Sequence, residues 1–497
     1  MTDGPSRIFD HAVLSAWQAE RKATRNPIIK KQCLQQAPDL LPRFATHYQE
    51  LKALRRRVRR SLQRQWKRSL AGVALLIALG QAPALAATIN VSGNCTLVRA
   101  INAANNDTTA GGRCTQGSGA DRIVLPSGST QELTAVNNTV YGPTGLPVIR
   151  SDIIIAGNNS TITRAASAPD FRILAVGDPG NLTLRRTTIT GGRATNVVGV
   201  VFSGSGGGIL HVGSNTTLTL TTSTISGNFA SNSGGGIAIN GDLGASKLVL
   251  TNSTVSGNAA QDGGGIDISY AKASLDNSTI SGNTAESGGG GVTNYRETVI
   301  LTNSTISGNE AQDGGGALNG FGKMFFINST ISGNRANSKG GGVYSSGLLT
   351  GALRSDSVFN RTLIAGNTAT VPDGVEVYQL SGGVVTANNF NLFGDRGSTT
   401  AQALGGSGVI LFGGSDITAT SNGTDPTNLE DILNTTLANN GGPTLTHALP
   451  ATSPAVDAVT NVSTCPPPAQ DQRGITRPQD GNGDGGVACD IGSYERQ

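Results

Sequence analysis

The chain has 497 residues, 69 of them Gly and 19 Pro, with 37% hydrophobic and 4% aromatic side chains. Abundant glycine without matching proline excludes collagen and Pro/Gly linkers, and the shortage of aromatics excludes a large conventional globular core. The formal net charge of +4 conceals a split: residues 1–68 carry 16 Lys+Arg against 5 Asp+Glu, and residues 69–497 carry 21 against 28. A single basic nucleic-acid-binding body is excluded, and the two parts are expected to meet different environments.

Residues 1–68 form a basic leader. Nine Lys/Arg and no acid lie between Lys52 and Arg68, and Phe44, Tyr48, Leu51, Leu54, Val58 and Leu62 recur at helical spacing. Two readings stay open: an extended leader that meets anionic lipid, or a start placed upstream of the true one near Leu54 or Val58. Residues 69–86 read as a signal peptide, with an 11-residue run of apolar and small side chains at Leu70–Gly80, a break at Pro83 and the small-residue site Ala84-Leu85-Ala86. That run is too short for the ~20 residues a spanning helix needs. The part after residue 86 is therefore expected outside the cytoplasm, extracellular or on the outer surface, with the periplasm as an alternative, and without a transmembrane span.

Cys33 falls in the leader. Cys95, Cys114, Cys465 and Cys489 remain, and four cysteines allow three connectivities. Proximity favours Cys95–Cys114 and Cys465–Cys489, one pair at each end. Neither pair has zinc-site spacing. In the cap segment, 87–150, Leu97, Ala100, Ile101 and Ala104 fall on one helical face, which predicts a short helix plugging the first coil.

Residues 151–395 are repetitive. Versions of STISGN begin at Ser223, Ser253, Ser278, Ser304 and Ser329, and glycine triplets follow at Gly234–Gly236, Gly263–Gly265, Gly288–Gly290, Gly314–Gly316 and Gly340–Gly342. A period of this size means stacked repeats. The apolar residues alternate, as in Leu248 to Val255, so each unit is built from strands. About three short strands fit each unit, which predicts an all-β parallel β-helix with coils ~4.8 Å apart. Ile225, Val255, Ile280, Ile306 and Ile331 are expected to form one inward ladder; Ile237, Ile266, Val292, Ala317 and Val343 another. Asn228, Asn258, Asn283, Asn309 and Asn334 occupy one repeat position, where stacked amides can bond along a column and Asn tolerates left-handed backbone at a corner. The N-S-T triplets at Asn252, Asn277, Asn303 and Asn328 match glycosylation acceptors, but a place in the repeat already accounts for them.

Residues 396–497 lose the repeat and could close the other end of the solenoid. Asp480, Asn482 and Asp484 open like a calcium loop, but Ile491 stands where its bidentate acid belongs. A looser Ca²⁺ loop and a plain Gly/Asp turn both fit; no other cofactor is expected.

The repeats resemble right-handed, pectate-lyase-like parallel β-helices, and the G-G-G-I element resembles that of polymorphic outer-membrane protein passengers. The tail is similar to the bacterial choice-of-anchor Q domain through Asn440–Leu449, Ser453–Asp457, Asp471–Gly474 with Arg477-Pro478, and Cys489–Glu495. Cys95–Asn105 resembles the CSLREA domain, with Val98-Arg99 in place of its Arg-Glu pair. The resemblance implies an exported, surface-associated or released protein and no defined reaction. Relatives usually end in a sorting tail, whereas this sequence stops at Gln497; nor does a barrel follow, as self-translocation would need.

Asp262, Glu286 and Asp313 precede successive glycine triplets, with Asp267 on the next strand, and stacked acids can bind Ca²⁺ or sugar hydroxyls. The plainer reading is a solvated turn edge countered by Arg296, Arg335 and Lys339. His447 belongs to the tail motif and reads as structural; His211 reads as filling a turn. The expected function is a non-catalytic, monomeric β-helix presenting rows of Asn, Thr and Ser to polysaccharide or other cell-envelope components. The alternatives are a carbohydrate lyase or hydrolase using the acidic edge, which needs paired carboxylates, and a purely structural surface protein.

Overall fold

The computed structural model describes residues 86–241, 245–347, 354–387, 389–395, 397–418, 428–460, 465 and 469–497. The basic leader, Cys33, the apolar run and Ala84 lie outside the described residues, and Ala86 is an exposed residue just before the first strand. Among the described residues no helix is long and apolar enough to cross a membrane.

The alternating apolar residues do form stacked strands, all paired in parallel within the ladders. The repeat coils in the middle of the solenoid hold four strands rather than three. In one coil these are Lys247–Thr251, Thr254–Ser256, Ala259–Asp262 and Ile266–Ser269. The extra strand follows the repeat Asn and is as short as two residues in neighbouring coils, too short to leave a periodic signal. The first two strands of successive coils build a 21-stranded sheet, fused into one by the long strands Asp152–Arg164 and Asn181–Thr190. The third strands build a 7-stranded sheet and the fourth a 9-stranded sheet.

Both expected inward ladders exist in register. Ile225, Val255, Ile280, Ile306 and Ile331 stack directly, as do Ile237, Ile266, Val292, Ala317 and Val343, and all are buried. The core widens into Phe326, Phe359 and Phe393, the first two stacked at 4.9 Å and the last edge-on at 5.8 Å. The Asn column is a continuous internal ladder. Each Nδ2 donates to the Oδ1 of the next coil at 2.8–3.0 Å, from Asn228 through Asn258, Asn283, Asn309 and Asn334 to Asn367. These ladder residues do not hold the left-handed corner; Gly227, Gly257, Gly282, Gly308 and Gly333 do so just before them. A second left-handed corner, between the first two strands, falls on Asn252, Asn277, Asn303 and Asn328, a conformation Asn tolerates better than most residues.

The helix α1, Leu97–Asn106, caps the first coil. Thr96 accepts from the backbone N–H of Arg99, the N-cap role. The buried face of α1 carries Leu97, Ala100, Ile101, Ala103 and Ala104, which join the solenoid core. Disulfides link Cys95 to Cys114 and Cys465 to Cys489. The ladders run past residue 396, through Leu404–Gly406, Val409–Phe412 and Ile417–Thr418. The described residues from 428 onward do not sit over the last coil. They lie along the side of the solenoid, against Thr279, Asn303, Thr305, Ser307 and Thr330.

Candidate binding groove at the glycine corner

The third and fourth strands of each coil meet at the glycine triplet, whose first residue is left-handed: Gly263 at φ 58° and Gly314 at 64°. In the intervening coil the left-handed residue is Gly289, so the corner is Gly289–Gly291, one residue later than the sequence reading. Side chains are excluded here as well. A Cβ on Gly289 would stand 2.1 Å from Thr293 Oγ1, and one on Gly263 2.9 Å from Asp267 Cβ. The bare corner runs beside the 9-stranded sheet.

The outward row of that sheet lies next to the corner and is buried at Ala238, Asp267 and Thr293 and half-buried from Leu318 onward. Ile266 and Ile268 point into the core, so Asp267 between them points out. The row runs Ala238, Asp267, Thr293, Leu318, Tyr344, Tyr378 in register. Tyr344 and Tyr378 stack at 5.9 Å with an 18° tilt, and Lys339 Nζ lies 5.1 Å over the Tyr378 ring. Burial and then the charges of Asp262 and Asp267 raise the Tyr295 phenol. Burial, then Asp313 and Tyr378, push the Tyr344 phenol up to about 12.

The wall is the column Ser233, Asp262, Gly288, Asp313, Lys339. Glu286 does not belong to it. The register slips between Ala260 and Asp262, Gly288 takes the stacked place, and Glu286 is left exposed two residues earlier. Asp313 is engaged, accepting the Lys339 backbone N–H at 3.1 Å. Arg335 pairs with Glu310 at 3.5 Å, Arg296 lies over Tyr270 and the Lys339 ammonium lies over Tyr378, so the three expected counter-charges are engaged elsewhere and Lys339 meets Asp313 through its backbone N–H. Asp267 is 6% exposed and accepts from Ser269 Oγ at 3.3 Å. Burial first, and then the charge of Asp262, push its carboxyl up to about 7, against the hydroxyls of Ser269 and Ser233. Near neutral pH both its forms are populated, and the protonated one can donate as well as accept.

Asp262 and Asp267 thus lie together on one coil, and the stacked tyrosines lie further along the same outward row. The tyrosines were missed because each stands alone in its repeat. Aligning the repeats on the inward ladder would have found them, since Tyr344 follows Val343 as Asp267 follows Ile266.

The remaining expected site residues are structural in character. Asp480 accepts the backbone N–H groups of Gly483 and Gly485, Asn482 that of Asp484, and Asp484 that of Gly486. These oxygens close a Gly/Asp turn. His447 is buried, with Nδ1 2.7 Å from the Asn434 carbonyl and Nε2 2.8 Å from Ser307 Oγ. His211 is not in a turn; it lies on the strand Ile209–Val212 and points inward between Val176 and Ile239. Asn303 and Asn328 are buried and hydrogen-bonded, so the folded chain hides both from glycosylation. The ladder amides are internal, while Asn252 and Asn277 and the hydroxyls of Thr188, Thr224, Ser226, Thr254 and Ser256 are half-buried at the surface.

A family model for a right handed beta helix region matches residues 244–424. The solenoid is a right-handed parallel β-helix. Among solved structures the chain is similar to a crystal structure of pectate lyase Pel9A, at 13% identity and a TM-score of 0.37, over 76% of this chain and 88% of that one. No curated protein matches it in sequence.

Proposed function

We propose that the protein is an exported, non-catalytic β-helix that binds a glycan chain along the glycine-corner groove. The observation that carries this reading is the half-buried Tyr344–Tyr378 stack, with Asp262, Asp267 and Asp313 on the neighbouring coils of the same glycine corner. An aromatic platform beside a few convergent polar groups suits a sugar ring and its hydroxyls. Export is supported by the signal-like segment 69–86 and by two bonded cysteine pairs, which persist in oxidising compartments. The resemblance of the tail to choice-of-anchor Q domains supports a surface or released location, which cell fractionation would test.

Calorimetry of the purified protein against polyuronides and neutral glycans tests the binding role. Binding without product release is expected, and Tyr378→Ala should weaken it roughly tenfold, or ~1.4 kcal/mol, while leaving Tm unchanged. The raised Asp267 carboxyl beside Asp262 favours a second reading, glycoside cleavage with Asp267 as the acid. Sugar release abolished by Asp267→Asn or Asp313→Ala would establish cleavage in place of binding alone. Neither binding nor release would leave a purely structural role.

A further inference from the structure

Residues 134–145 and 195–205 form two neighbouring loops whose tips are bare valine. Val198 is fully exposed at 102%, Val201 is 69% exposed and Val140 52%, with Val136 and Val197 also exposed. Isolated exposed valines need no explanation, but five on two adjoining loops do. Neither loop carries charge: no Lys, Arg, Asp or Glu occurs between Glu132 and Arg150, or between Arg193 and Asp242.

The bases of the loops are pinned together. Arg172 is wholly buried, and its guanidinium donates to the Tyr141 carbonyl from one loop and to those of Phe202, Ser203 and Ser205 from the other, the last three at 2.6–2.8 Å. Gly142 approaches so closely that a Cβ there would lie 2.7 Å from Ser203 Cβ. Tyr141 and Phe202 pack onto the outward cluster of Val148, Ala175, Leu210 and Ala238. Burying a guanidinium against carbonyls alone is costly, and here it ties the bases of the two apolar loops together.

We propose that this valine prong inserts into the interfacial layer of a lipid bilayer. Its shape favours lipid over a protein pocket. Val198 stands clear of the fold, with nothing within 4 Å of a Cβ on the neighbouring Gly199, and a fluid layer accommodates a protruding apolar tip without a preformed partner. Insertion carries no ionised group out of water, so the apolar gain is not offset by charge desolvation. The inference is independent of the glycan groove.

The test is a local probe on the full chain. Val198→Cys in a Cys33→Ser background is labelled with an environment-sensitive dye and mixed with vesicles of phosphatidylcholine, alone or with phosphatidylglycerol. A blue-shifted emission quenched by brominated lipid is expected, and Val201→Asp should weaken the response roughly tenfold, because a carboxylate must then enter the layer. A label at Val140→Cys should respond alike, and one at Asp484→Cys should not. Because the readout is local, lipid binding by the basic leader cannot imitate it. Unchanged emission at saturating vesicle, or an equal response at Asp484→Cys, overturns the proposal. A concentration-dependent shift without vesicles would also overturn it, by assigning the prong to a second copy of the chain.

Discussion

His211 occupies an inward position of the core, and both its ring nitrogens are buried without a hydrogen-bond partner. Burial pulls its pKa down to about 4, only partly opposed by Asp178. The unfolded chain takes up this proton near pH 6.5, whereas the native ring resists until about 4, so stability falls as pH drops through that window. His211→Ile continues the Val176–Ile239 ladder and removes two unmade hydrogen bonds. It should stabilise the protein by about 1 kcal/mol at pH 7 and by more at pH 4.5, read from urea midpoints. Asp267 has the opposite sign. Its native pKa of about 7 lies above the ordinary 3.8, so the folded state holds the extra proton and stability declines as pH rises from 4 through 7. Asp267→Asn should flatten that decline, worth about 2 kcal/mol, in the same titration. The alternation that marks Ile237 and Ile239 as inward applies equally to Ile209 and His211, but the glycine triplet just before His211 argued for a turn; the burial that shifts either group was not legible.

The Asn ladder was legible because identical residues recur at one repeat position; its polarity and its terminus were not. Every rung points its Nδ2 toward the C-terminal coil, and Asn367, the last, donates to the carboxyl of Glu376. Glu376 contributes the carbonyl that stacks above Gly342, yet no glycine marks the place. Burial pushes its carboxyl up to about 8, against the Asn367 hydrogen bond, so an uncharged acid closes the column. The strand count was misread for a related reason, since two-residue strands bounded by Asn and Gly show no period. An interior rung carries more than its own bonds. Asn309 Oδ1 accepts from both the backbone and the side chain of Asn283, while its Nδ2 donates to the Ile280 carbonyl and to Asn334 Oδ1. Asn309→Ala strands two buried donors and one carbonyl, and should cost about 3 kcal/mol or more. Asn482→Ala, in an exposed turn, should cost less than about 1 kcal/mol. The two melting curves check the contrast.

The C-terminal region fastens the solenoid from the side, and the repeat itself supplies the seat. Thr224 and Thr254 are half-buried, but the same row becomes fully covered at Thr279, Thr305 and Thr330. Gln472 bridges two coils: its Oε1 accepts from Thr305 Oγ1 at 2.7 Å, and its Nε2 donates to Thr279 Oγ1 at 2.9 Å and to Thr444 Oγ1 at 2.8 Å. Ser493 N–H donates to Thr330 Oγ1 at 3.0 Å, and the Gly492 N–H donates to the Arg361 carbonyl at 2.9 Å. Behind this contact, Arg477 holds Glu495 at 2.7 Å and Arg473 holds Asp471 at 2.8 Å, so the seated residues are braced by buried pairs. Side docking also gives the repeat coils contacts far apart in sequence, which a stack of nearest neighbours otherwise lacks. Protection of backbone amides should therefore differ along one ladder. Thr279–Ser281, Thr305–Ser307 and Thr330–Ser332 are expected to exchange more slowly than the chemically similar Thr224–Ser226 and Thr254–Ser256. Gln472→Ala leaves three buried threonine hydroxyls without this partner and should cost about 2 kcal/mol. It should bring the exchange of Thr279–Ser281 and Thr305–Ser307 toward that of the uncovered coils, with Thr224–Ser226 unmoved. Equal exchange along the ladder in the unaltered protein, read by mass spectrometry, would show that the region does not dock there in solution.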